Sequence, residues 1–238
     1  MLVNVSDILT RIRQMSNTES STFVTDAEIV GYIDRAYREL YDILTTCYEV
    51  YNVSSYTFAT TNGTDLYNLP ADFYKIVGVD LNIDPNRSIT LRPFMVSERN
   101  QYRSGLFSPI VPGVIYQYHL WGNQLRLIPN PASQGATLQV WYVPVPKTLV
   151  TTVSDPTTQA SSVDIINGYD EFLDISCVIK ILMKMEQATE AWERRMSEIK
   201  QNIIDTAANR DTGMPERVTD GNSQYWPYGP GSGTGIGY

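Results

Sequence analysis

His119 is the only histidine in this chain of 238 residues, so any Ser-His-Asp or Cys-His catalytic set must be built around it. Alternation along its segment puts it on one strand face with Gln117 and Trp121, and no nucleophile-elbow or Gly-x-Ser-x-Gly run accompanies it. A partly exposed sheet residue is the expectation. The two cysteines, Cys47 and Cys177, lie far apart inside apolar helical patterns, where a thiol acts as a small hydrophobe. With one histidine, no cysteine pair and no EF-hand loop, a metal site has no ligand set. Asp170-Glu171 could be a carboxylate pair for glycoside hydrolysis, but it sits at a helix start, where the macrodipole favours acidic side chains. The Gly231-x-Gly233-x-Gly235 run echoes a phosphate loop yet opens no helix. No catalytic, cofactor-binding or metal-binding residues are expected.

Aromatic residues are more informative. Trp121, Trp141, Tyr116, Tyr118 and Tyr142 could form a stacking platform for sugars or bases, or cross-strand pairs that stabilise a half-buried sheet. The second role is favoured, with part of the surface serving a protein interface. Tyr225, Trp226 and Tyr228 belong to a tail rich in Gly and Pro that has too few aliphatic residues for a core of its own. Rings in such a tail need a surface to pack on, which points to an arm, residues 211–238, that orders on a neighbouring chain. Arg210 and Asp211, where the preceding helix runs out, join the three rings as expected contacts to a partner.

Two periodicities set the frame for these residues. Val5, Ile8, Leu9, Ile12 and Met15 recur at helical spacing, as do Ile29, Ile33, Ala36, Leu40 and Leu44 after a capping box of Thr25 and Glu28. From residue 54 the period becomes two, with turns at Asn62-Gly63 and 84–86 and a tight hairpin at Gly122-Asn123. A short polar helix is expected over 97–103, and 149–164 reads as a connecting loop. Helical spacing returns at Tyr169. Phe172, Ile175, Ile179, Leu182 and Met183 make that helix apolar around much of its circumference, so it should be sandwiched between others. A last helix buries Trp192, Met196, Ile199 and Ile203 along a narrow seam. It leaves Glu193, Arg194, Arg195 and Glu198 facing solvent or another subunit.

The fold class is therefore α+β. Residues 1–52 and 165–210 are expected to form a helical bundle from both chain ends, with 53–148 inserted as an antiparallel β unit and 211–238 as an extended arm. The net charge of −8 disfavours binding to free polyanions. No signal peptide or membrane span is expected, because the N-terminus lacks a basic-then-apolar run and the most apolar helix is broken by Lys180 and Lys184.

Several segments together carry a family likeness. They are Thr25-Asp26-Ala27-Glu28-Ile29 through Ala36-Tyr37-Arg38-Glu39-Leu40-Tyr41, Tyr67-Asn68-Leu69-Pro70-Ala71-Asp72-Phe73, Asn123-Gln124-Leu125-Arg126-Leu127-Ile128-Pro129, Trp141-Tyr142-Val143-Pro144 and Ala208-Asn209-Arg210-Asp211. In this order the chain resembles the head-to-tail adaptor (connector) proteins of tailed bacteriophages. The resemblance implies a structural protein without enzymatic activity or cofactor. It implies a virion neck component, assembled in the host cytoplasm as a homo-oligomeric ring, usually a dodecamer, through which DNA passes without specific binding. Its partners would be the portal protein on one face and a tail or nozzle protein on the other, with no membrane involved, and the arm would reach the portal or a neighbouring subunit. Another neck or tail-tube ring is the nearest alternative. A carbohydrate-binding module using the sheet tryptophans is a third.

Overall fold

The computed structural model describes residues 2–48, 51–84, 87–95, 117–128, 137–164 and 169–208. The chain opens with a three-residue strand, β1 (Leu2–Asn4), and then the helices α1 (Val5–Met15) and α2 (Asp26–Cys47). Thr25 caps α2, its hydroxyl accepting from the Glu28 amide at 3.3 Å. The Glu28 carboxylate is engaged elsewhere as well, 2.7 Å from Lys184 Nζ and 2.8 Å from Tyr32 Oη, which ties the start of α2 to the end of the third helix. After the β region, α3 (Asp170–Lys184) and α4 (Glu190–Ala208) complete the helices.

All four helices share one core. Ile8 and Ile12 of α1, Ile29, Ile33 and Leu40 of α2, Phe172 to Val178 of α3, and Ile199 and Ile203 of α4 are buried in it. Seven consecutive residues of α3 are buried, and a helix buried all round needs neighbours on every side. Here α1, α2 and α4 supply them. Truncating a wholly buried ring such as Phe172 to alanine typically costs about 3–5 kcal/mol. Two expected core positions fall outside: Met15 and Met183 are 38% and 62% exposed. Both sit at the C-terminal end of their helix.

Two four-stranded sheets lie between α2 and α3. One has the order β2 (Ser54–Ala59), β9 (Thr137–Pro144), β4 (Phe73–Asp84), β5 (Arg87–Thr90). The other has the order β3 (Leu66–Asn68), β8 (Gln124–Ile128), β7 (Gln117–Trp121), β6 (Arg92–Pro93). Val79, Leu81, Leu138 and Val140 of the first meet Tyr67, Tyr118, Leu125 and Leu127 of the second in a core separate from that of the helices. Pairing is antiparallel except for the two-residue contact of β6 with β7, which is parallel. The β7–β8 hairpin turns on Gly122 at φ +59° while Asn123 keeps a negative φ, the pattern of a type II′ turn.

The segment expected as a loop carries three short strands. β10 (Thr148–Leu149) pairs in parallel with β11 (Gln159–Ala160), and β12 (Ser162–Asp164) pairs antiparallel with β1. Pairs of two or three residues are too short to show a period, and the β1–β12 partners are far apart in sequence. The Asp34 carboxylate accepts from the Leu149 amide at 2.9 Å, and Arg38 donates to Thr148 Oγ1 at 3.0 Å, so α2 holds this segment against the helices. Sheet and helices are also joined directly. Tyr41 Oη donates to the Pro144 carbonyl at 2.6 Å, Tyr74 Oη to Asp42 at 2.8 Å, and Lys75 Nζ to the Thr45 carbonyl at 3.3 Å. The helix expected over 97–103 lies outside the described residues.

Candidate subunit and partner interfaces

The outer face of α4 follows from its period. Ile199 and Ile203 point into the helical core and Trp192 and Met196 pack partly against it, which turns Glu193, Arg194, Arg195 and Glu198 outward; all four are exposed. Three of the four already have partners within the chain. Arg195 reaches Glu171 of α3 at 2.9 Å and Glu198 at 3.2 Å, and Glu193 accepts from the Thr189 hydroxyl at 2.6 Å. Further along, Lys200 lies 3.4 Å from Glu39 of α2. Arg194 has no hydrogen-bond or ion-pair partner among the described residues. Exposed pairs of this kind contribute little to stability, so another subunit could exchange them at little cost. Glu171 and Glu198 hold the Arg195 guanidinium in its charged form, raising its pKa.

One charged cluster was not legible in the sequence. Arg11 of α1 lies 3.0 Å from Asp170, and its Nη2 donates to Asp174 Oδ1 at 3.3 Å. Arg11 Nε is also 3.0 Å from Asp174 Oδ2, but without the alignment of a hydrogen bond. Asp174 is buried amid Leu173, Ile175 and Cys177. Burial pushes its carboxyl up to about 6, against the opposing pull of Arg11. An aspartate four residues after Asp170, inside an apolar helix, was the available signal; its partner on α1 was not. No metal-holding cluster accompanies it among the described residues. The Cys177 thiol is pushed up to about 12 by burial, which leaves almost no thiolate.

The residues weighed for chemistry are dispersed. Asp170 and Glu171 pair with arginines of different helices, Arg11 and Arg195. His119 Nδ1 is 3.2 Å from the Phe94 carbonyl, and its ring packs between Phe94 and Trp121. Its cross-strand neighbour Arg126 is bound to Asp65 at 2.9 Å and lies over the Trp121 ring. Among the described residues no cluster of three His, Cys, Asp or Glu side chains could hold a metal ion. No described helix is long and apolar enough to cross a membrane.

The sheet aromatics do not make one platform. Tyr118 and Tyr142 are buried between the sheets. Trp121 belongs to one sheet and Trp141 to the other, and Trp141 donates from its indole to Asp80 at 2.7 Å while lying across from Gly78. That bond ties the indole to the neighbouring strand, which is a structural role. Tyr116, Arg210, Asp211, Tyr225, Trp226 and Tyr228 lie outside the described residues.

A family model described as SU10 adaptor protein matches residues 3–220. No curated protein matches the chain.

Proposed function

The chain belongs to the SU10 adaptor protein family, a family of phage head-to-tail adaptors, and on that premise we propose that it is a structural ring subunit joining the portal to the tail. It is a virion component associated with other capsid or tail proteins. The finer proposal is a closed ring, a dodecamer by family resemblance, with no catalytic step, assembled in the host cytoplasm and threaded by the genome at ejection.

Coverage of the family match, 3–220, is the observation that carries this, because it takes in the helices, the sheets and the start of the arm together. The outward face of α4 supports it physically. A ring closes through heterologous contacts, in which each subunit offers two different surfaces. Arg194 and the exchangeable pairs around Arg195 suit one of them. The helices over 1–52 and 165–210 would act as one rigid unit and 53–148 as a second, with 211–238 reaching the portal or a neighbouring copy through Arg210, Asp211, Tyr225, Trp226 and Tyr228. The net charge of −8 is compatible with a channel that DNA passes without adhering.

Electron microscopy of the purified protein, alone and mixed with its portal, tests the proposal. Rings with twelve-fold symmetry that dock coaxially on the portal are expected. A protein that stays monomeric at high concentration and ignores the portal would overturn it.

A further inference from the structure

Where α2 meets the first sheet there is a cleft of about 670 Å³, a size typical of binding pockets. Three tyrosines and two prolines are among its lining residues. Tyr37 and Tyr41 come from α2, Tyr51 from the connection to β2, and Pro144 and Pro146 from the end of β9, with Asp72 at the side. Tyr37 and Tyr41 meet edge to face with centroids 6.2 Å apart, and Tyr41 is fixed by its bond to the Pro144 carbonyl. Tyr41 is thus held in place, with Tyr37 against it, before anything binds. The two charged side chains of the lining, Asp72 and Lys147, are of opposite sign and already bonded, to the Tyr142 hydroxyl and the Pro156 carbonyl respectively. Grooves walled by aromatic rings and proline are the usual receptors for extended proline-containing segments, whose backbone is pre-set and loses little entropy on docking.

Of the proline-containing segments outside the described residues, one is also rich in rings. Tyr225-Trp226-Pro227-Tyr228-Gly229-Pro230 has two prolines among three rings, and no charged side chain occurs anywhere in 221–238. A residue that precedes proline is biased to extended backbone, which here applies to Trp226 and Gly229. In a protein of net charge −8, the cleft carries one charge of each sign and so has no net charge in its lining to repel or demand a charged segment.

The route is short enough. Lys200 of α4 pairs with Glu39, which lies on α2 between the two cleft tyrosines. So α4 is already level with the cleft before it ends at Ala208. From there to Tyr225 the chain can span up to about 60 Å when extended.

We propose that this cleft is the receptor for the 225–230 segment of a copy of this chain, with the rings of Trp226 and Tyr228 packed against Tyr37, Tyr41 and Pro146. The assignment goes beyond the ring proposal and does not depend on it.

The test uses the full-length chain with a photo-reactive phenylalanine at position 228, and in a second preparation at 226. After irradiation and digestion, cross-links are expected to peptides containing 37–41, 51–54 or 144–147. A synthetic peptide of residues 221–232 should suppress them, and its Trp226→Ala form should need about 30-fold more to do so. Cross-links that fall elsewhere in the chain, or only on another protein, would overturn the proposal, as would indifference to the peptide. Mixing heavy- and light-isotope protein before assembly separates this from the ring proposal. Mixed-isotope products show the arm passing between subunits. Single-isotope products leave the cleft assignment standing and count against the arm as a bridge.

Discussion

Asp174 has a consequence for stability that can be measured. Its carboxyl titrates near 6 when folded and near 3.8 when unfolded, so between those values the folded protein holds more protons. Stability from this group is then greatest below about 4 and falls as the pH rises through 6. Asp174→Asn should remove that slope. Relative to the unsubstituted protein, the variant should gain on the order of 2–3 kcal/mol between pH 4 and 7, read as a change in the difference of melting temperatures. Glu28 acts with the opposite sign, its pKa lowered chiefly by its hydrogen bond from Lys184, but it is common to both proteins and cancels. A constant difference across that range would show that Asp174 is not the source. His119 should be dispensable: His119→Ala is expected to leave assembly intact and abolish no activity. Any hydrolytic or transfer activity that purified with the protein and vanished in the variant would refute this.

At the scale of elements, α4 gives the sharpest test. Arg194→Glu reverses an exposed charge on its outer face that has no partner among the described residues. It should move the melting temperature by no more than about 0.5 kcal/mol equivalent, as exposed substitutions usually do. Ring formation, followed by native mass spectrometry, should nevertheless weaken. Unchanged assembly would place the subunit contact on another surface. The hairpin offers a control, since Gly122→Ala forces a side chain onto a positive φ and should cost on the order of 1–2 kcal/mol without affecting assembly of the folded fraction.

The helices were legible because their signals are local: a 3.6-residue stripe and, for α2, a capping threonine. The strands were legible for a similar reason, since alternation reveals which side chains share a face. Alternation does not say which sheet a strand joins, so the opposed pair of sheets and the separation of Trp121 from Trp141 were hidden. The charged face of α4 could be read from the sequence. Its pairing with Glu171 and Glu39 could not, because those partners come from other elements. Arg11 and Asp174 failed to show for the same reason, at a separation of 163 residues.

For the whole molecule, the arm is the part whose removal should separate folding from assembly. Among the described residues, the helical and sheet cores reach no further along the chain than Ile203. Deleting 212–238 should therefore leave helix content and melting unchanged while the truncated subunit docks poorly on the portal. If it assembles as well as the intact chain, the arm contributes nothing to the ring.

The placement of the sheets between α2 and α3 also has a cost in time. Ile29, Ile33, Leu40 and Leu44 of α2 find their main partners on α3, which begins at Asp170, well over a hundred residues after α2 ends at Cys47. A ribosome adding about 5–20 residues per second needs roughly 6–25 s to cover that interval. For most of it the apolar faces of α1 and α2 have chiefly each other, until Leu149 and Val163 arrive, while the sheets, being contiguous in sequence, can form first. The nascent chain thus carries an open hydrophobic surface for seconds before α3 closes it, which is the period in which a holding chaperone would decide the yield of soluble subunit.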